Sequence, residues 1–144
     1  MNCEETKNLR LSLEPHVEAL ATAAVDAAIA VHRELGPGLL ESVYEQCLAH
    51  ELVARGLSVK AQVPVPVIYR SLRLETGFRA DLILHDALLL ELKAVESLLP
   101  VHKAQVITYL KLTRLPLGFL INFNVPLLKD GLHRIIHPSL LKNS

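Results

Sequence analysis

Apolar residues along this chain recur first at helical spacing, then at strand spacing, then at helical spacing again. From Pro15 to Leu35 the positions Val17, Leu20, Ala24, Ala28, Val31 and Leu35 fall at threes and fours, and Pro15 occupies a first turn that tolerates its missing N–H. Gly36-Pro37-Gly38 stops this long helix, because glycine suits the left-handed cap and proline cannot continue the ladder. A second helix is predicted from Leu39 to about Arg55, ending at Gly56. Val59, Ala61, Val63, Val65 and Val67 then occupy every second position, a strand that Pro64 and Pro66 push toward a sheet edge by removing ladder donors. Arg73 to Leu84 and Leu88 to Val95 read as two more strands joined by a tight turn at His85-Asp86, and Gly77 allows a kink or bulge in the first. Pro100 to about Arg114 is helical, Leu117 to Asn122 is a short apolar strand, and Gly131 to Ile136 forms a last one.

The order helix, helix, three-strand meander, helix, strand and a final strand shows no repeat, linker or low-complexity segment. It predicts one α/β (α+β) domain over residues 15–138, with polar tails at 1–14 and 139–144 and helices packed on a sheet. A length of 144 residues suits a single core, and 51% hydrophobic against 21% charged residues excludes a disordered chain. Cys3 and Cys47 are the only cysteines, which leaves no disulfide framework and no multi-cysteine zinc site. With acids in place of a basic signal sequence at the N-terminus and no apolar run near the roughly 18 residues of a membrane span, a cytoplasmic protein without membrane contact is expected. Fifteen Lys and Arg balance fifteen Asp and Glu, so any grip on a polyanion must be local. The absence of tryptophan and an aromatic content of 4% argue against a base-stacking platform.

Chemistry concentrates between Arg79 and Lys93. If the chain folds back around Asp86, antiparallel pairing sets Asp81 opposite Glu91, and alternation puts Lys93 on the same face as Glu91. The opposite face collects Leu82, Leu84, Leu88, Leu90 and Leu92 as a wall against a core. Two facing carboxylates in such apolar strands need a compensating cation or a shared proton, and a hard divalent ion such as Mg²⁺ accepts oxygen ligands of this kind. Lys93 could then orient a water or balance phosphate charge. On spacing alone, a solvent-facing Glu91–Lys93 surface pair is the simpler account.

Other motifs shift that balance. In Gly38-Leu39-Leu40-Glu41-Ser42-Val43-Tyr44-Glu45 the residues Leu40, Val43, Tyr44, Cys47, Leu48 and Leu52 form an apolar sector at about 100° per residue, and Glu41 falls inside it. A carboxylate there needs a partner. Glu51 has Arg55 one turn on, whereas Glu41 has only Glu45, and its alternative role is to complement the helix dipole. Gln105 and Tyr109 share a helix face and could hydrogen-bond a phosphate or a neighbouring carboxylate, or simply meet water at a helix edge. The seven histidines form no zinc pattern: His133 and His137 lie in a strand-like tail without an acid beside them, and all are read as surface residues. No phosphate-cradling glycine loop, nucleophile elbow or Cys-x-x-Cys pair is present.

These elements together resemble the GxxExxY proteins, a branch assigned to the PD-(D/E)xK nuclease superfamily. Gly38, Glu41 and Tyr44 supply the naming motif, Asp81 and Glu91-Leu92-Lys93 the nuclease signature, and Gln105 and Tyr109 the following helix, with Ala80 in place of the motif's proline. The resemblance spans the first helix to Ile136. It implies a restriction-endonuclease-like core with a mixed central sheet, and a Mg²⁺- or Mn²⁺-dependent nuclease acting on DNA more than RNA. Glu41, Asp81 and Glu91 would be the metal ligands, Lys93 would aid the attacking water, and Gln105, Tyr109 and Tyr44 would position the substrate or the site. A non-catalytic module that keeps the fold to bind a protein or nucleic acid is the alternative, favoured by the neutral charge. Nucleic acid would be held weakly in either case. A homodimer is compatible with both readings, with the proline-interrupted strand and the alanine-rich helix as candidate surfaces.

Overall fold

A computed structural model describes residues 13–141; Cys3, most of the polar segment 1–14 and residues 142–144 lie outside the described residues. The elements are α1 (Pro15–Leu35), α2 (Glu41–Ala54), β1 (Val59–Tyr69), β2 (Leu72–Leu84), β3 (Leu88–Lys93), α3 (Pro100–Thr113), β4 (Leu117–Asn122) and β5 (Leu132–Ile136), with short 3₁₀ turns at Leu128–Gly131 and Pro138–Leu140. Strand order in the single five-stranded sheet is β1-β2-β3-β4-β5. The first three strands form the antiparallel meander, β3 and β4 run parallel across the α3 crossover, and β5 returns antiparallel. The fold is therefore mixed α/β of the restriction-endonuclease-like kind, with β1 at an edge as its prolines require. Among the described residues no helix is long and apolar enough to cross a membrane.

Both sheet faces are covered. On one, Ala24, Ala27 and Ala28 of α1 and Leu48 and Leu52 of α2 pack on Leu82, Leu84, Leu88, Leu90 and Leu92. Those alanines serve the protein's own core, which removes them as a surface for a second copy. On the other face, Val106 and Leu110 of α3 pack on Ile83, Leu89 and Leu120. Gly118 permits this approach: a Cβ there would lie 3.2 Å from Val106 and 3.3 Å from Leu110.

Several ends and positions differ from the pattern-based expectation, each for a local reason. The turn at His85-Asp86 has positive φ at both residues, the geometry that matches hairpin twist. The strand pairing slips between Val65 and Val67, opposite Gly77, whose missing Cβ is what lets Val67 fit. β3 stops at Lys93 instead of Val95, because the buried Asn122 amide takes over the Val95 backbone, accepting from its N–H at 3.1 Å and donating to its carbonyl at 2.9 Å. Gly131 belongs to a 3₁₀ turn and not to β5, since its backbone passes so close to the Asn122 carbonyl that a Cβ would collide with it. His32 is buried rather than exposed, its Nε2 2.7 Å from the Val125 carbonyl, and His133 and His137 are half-buried.

α2 starts at Glu41, two residues later than the apolar pattern suggests. Tyr44, fully buried and stacked on Phe123 with centroids 4.6 Å apart, donates its hydroxyl to the Gly36 carbonyl at 2.6 Å and accepts from the Leu39 N–H at 3.1 Å. These bonds hold Gly36–Leu39 out of the helix and leave Leu40 exposed, outside the apolar sector. Replacing the hydroxyl removes the partner of a half-buried carbonyl and of an amide. Tyr44→Phe is expected to lower the unfolding free energy by about 1–3 kcal/mol, read from the midpoint of a urea titration with the slope unchanged.

Candidate active site

β2 and β3 bring the two strand acids together. The ladder between these strands ends at Leu82–Leu90, and just beyond it the acids interlock through their side chains: the Leu92 N–H donates to Asp81 Oδ2 at 2.8 Å, and the Asp81 N–H donates to Glu91 Oε1 at 3.3 Å. Simple alternation fails here. Ala80 packs with the α3-side core while Leu82, two residues on, packs with the α1/α2-side core, and on β1 Val63 and Val59 divide in the same way. Gln62, between them, has φ of 51°, and the pairing of Gln62 with Asp81 is missing between Ala61–Leu82 and Val63–Ala80. The irregularity turns the Asp81 side chain toward the opening between the strands and α2.

At that opening lies a cleft of about 260 Å³ lined by Glu41, Ser42, Glu45, Gln62 and Asp81. The Gln62 amide donates to a Glu45 carboxylate oxygen and, at 3.4 Å, to Asp81 Oδ1. Glu41, expected inside an apolar sector, is exposed at the start of α2, where it lines the cleft. The cleft removes part of the water around that carboxyl and raises its pKa; Lys93 opposes this, Asp81 and Glu45 add to it, and the Ala94 N–H opposes it. Glu45 is raised too, first by partial burial, with the Gln62 bond lowering and Asp81 raising it. Lys93 therefore acts on Glu41 and Glu91 together while forming no direct ion pair with either.

Glu91 is the most perturbed group. It is 5% exposed, and burial, the Asp81 charge and the Asp81 side chain push its pKa up to about 8, against the pull of the Asp81 N–H and of Lys93. Tyr109 reaches the pair from α3, its ring stacked on Phe78 at 3.7 Å; partial burial raises its pKa, and Glu91 and Asp81 raise it further. Gln105, half-buried one turn earlier, makes no side-chain hydrogen bond among the described residues. Tyr44 stays out of the cleft and acts through the loop that sets where α2, and so Glu41, begins. Glu45 and Gln62 were not expected in the site. The Glu41–Glu45 like-charge spacing on one helix face was a readable signal for the first, whereas a glutamine on an edge strand carries none.

The donor set suits a hard divalent cation. A carboxylate nearly out of water beside a second one, with only Lys93 for compensation, is stabilised by a shared proton or by a cation, and oxygen donors match Mg²⁺ or Mn²⁺ better than zinc. Among the described residues, no group of three or more His, Cys, Asp or Glu side chains is drawn close enough to enclose an ion by itself. Asp81 and Glu91, with Glu41 at the rim, are the residues that would hold one.

A carboxyl whose pKa rises on folding binds its proton more tightly in the folded state, so stability falls as pH climbs from about 4.5 to about 8 and then levels off. In the presence of chelator, the wild type should lose on the order of a few kcal/mol across that window. Glu91→Gln should flatten the loss. Thermal unfolding at half-unit pH steps checks both.

A family model described as PD-(D/E)XK nuclease superfamily matches residues 18–135, from early α1 into β5. No curated protein and no solved structure matches the chain. The match contains every carboxylate described above together with Lys93 and Tyr109, and covers most of the 144 residues. The chain belongs to the PD-(D/E)XK nuclease superfamily.

Proposed function

We propose that residues 15–138 form a Mg²⁺- or Mn²⁺-dependent nuclease of the GxxExxY type, hydrolysing phosphodiester bonds in the cytoplasm. The observation that carries this reading is the interlocked Asp81–Glu91 pair, desolvated at the end of a strand that also presents Lys93. Superfamily membership supports nucleic acid as the substrate. The preference for DNA over RNA follows the GxxExxY resemblance.

In this reading, the Leu92 N–H fixes one Asp81 oxygen, and Gln62 steadies the other while keeping Glu45 close. Glu91, buried, keeps its charge only when a cation compensates it. A divalent ion bound there would lower the pKa of a coordinated water and neutralise phosphate charge. Lys93 orients the attacking water and offsets charge on the phosphate, Glu41 completes the acidic rim, and Gln105 and Tyr109 brace the α3 side.

The test is cleavage of single- and double-stranded DNA and of RNA with Mn²⁺ or Mg²⁺. Asp81→Asn, Glu91→Gln and Lys93→Met should each lower the rate by about 100-fold or more, while Gln105→Ala and Tyr109→Phe cost less. Calorimetry should detect a divalent site that Glu91→Gln weakens. Cleavage surviving both Asp81→Ala and Lys93→Ala identifies a contaminant. A wild type that binds no divalent ion returns the chain to the non-catalytic alternative.

A further inference from the structure

The formal charge of zero conceals a strong division along the chain. From Ser97 to the C-terminus there are six Lys and Arg against the single acid Asp130, whereas residues 1–96 hold nine Lys and Arg against fourteen acids. α3 contains no acid, nor does β5. The site is itself acidic, with Glu41, Glu45, Asp81 and Glu91 around one Lys93, and such a cluster repels a polyanion. The grip must come from elsewhere.

The fold gathers much of that positive charge on one flank. Pairing runs from Glu91 to Leu120 and from Leu120 to His133, so all three point to the same sheet face, the one that α3 covers. At ~4.8 Å per strand, His133 stands about 10 Å from Glu91 along this row. Lys103 flanks His133, and Lys111 and Arg114 flank His137; burial first, and these cations next, hold both rings below the ordinary histidine range. Arg134, on the opposite face of β5, is instead engaged by Glu18 of α1. Lys103, Lys111 and Arg114 are exposed and have no ion-pair partner among the described residues, whereas Arg55, Lys60, Arg73 and Arg134 each hold a carboxylate. Of the acids lining the cavity beside Arg114, Asp86 is paired with Lys60, and a Glu14 carboxylate oxygen lies 3.3 Å from the His16 ring.

Taking the nucleic-acid reading of the site as its starting point, we infer that the α3–β5 flank, with Lys103, Lys111 and Arg114 as its cations, is where the sugar-phosphate backbone lies. Lys103 and Lys111 are eight residues apart on one helix, about 12 Å at ~1.5 Å per residue, which matches the rise of three to four base pairs along a duplex axis at ~3.4 Å each. The flank supplies the local attraction that a neutral total hides, and it leaves the acidic site free to take a cation.

The experiment is fluorescence anisotropy of a labelled 20-base-pair DNA duplex in EDTA, where no cleavage occurs, from 25 to 200 mM NaCl. The triple variant K103E/K111E/R114E should raise Kd at least tenfold and flatten the slope of log K against log salt by about 2 to 3, at ~0.9 per phosphate contact. The milder K103Q/K111Q/R114Q should show a smaller loss with an unaltered circular dichroism spectrum. R55E/K60E/R73E, an equal change in net charge among cations that already hold acids, should move Kd less than threefold. Equal losses in the two charge-reversed triples, no loss in the first, or a wild type that fails to bind at 25 mM salt overturns the inference. Binding that follows the flank in a protein that does not cleave with Mn²⁺ sustains the inference and removes the catalytic reading. Cleavage with flank-independent binding does the reverse.

Discussion

Glu91 is a carboxylate held almost out of water beside a second carboxylate, and the chain on every side works against the cost of that placement. Burying an unpaired ionised carboxylate costs several kcal/mol even after relaxation, a large share of the stability of a chain this size. Its partner cannot neutralise it. What offsets the cost is the exchange of backbone N–H groups with carboxylate oxygens across β2 and β3, the nearby Lys93, and a pKa high enough for the group to keep a proton when nothing else compensates it. A cation does the same work as that proton. A site that is unfavourable alone and relieved by a cation is biased toward binding one.

The same constraint explains why the sheet is irregular where it is. A regular hairpin would send Asp81 and Gln62 to opposite faces from their neighbours and leave Asp81 directed at packed side chains. The left-handed backbone at Gln62 and the change of face between Ala80 and Leu82 turn the carboxylate toward the cleft instead. Rigid supports surround this break: Asn122 captures the Val95 backbone at the end of β3, and Tyr44 pins Gly36 and Leu39 so that α2 begins at Glu41. Neither side chain enters the cleft. Both decide where the residues that line it start and stop.

Most of the architecture was legible in the sequence because it follows from local period. The helices and strands, the edge position of β1 and the turn at His85-Asp86 all come from spacing, proline chemistry and turn chemistry that need no distant contact. The meeting of Asp81 and Glu91 was legible for the same reason, since the three turn residues His85 to Ala87 centre the hairpin on Asp86. The placement of Glu41 was not. Helical spacing put it among buried leucines, and only the Tyr44 hydroxyl, acting back across the loop, determines that the helix opens at Glu41 and leaves it exposed. Gln62 and Asn122 were invisible because their roles are contacts to residues 19 and 27 positions away. The burial of His32 is hidden from local spacing likewise, its partner being a carbonyl 93 positions on.

Charge shows most plainly how far a sum can mislead. A balance of fifteen and fifteen speaks against bulk attraction to a polyanion, yet attraction is exerted over about a Debye length, roughly 8–10 Å in ordinary salt, and not over the whole molecule. What a phosphate senses is the set of groups within that distance. Beside Asp81 and Glu91 that set is acidic; along α3 and β5 it is basic and free of acids on either element. The two regions adjoin across the row from Glu91 to His133. A protein with one uniformly basic surface would draw nucleic acid into its carboxylates only by overwhelming them. On the proposed reading, separating the signs would let the acids hold a cation while the neighbouring flank attracts the polyanion, and the neutrality of the whole is the arithmetic result of that division.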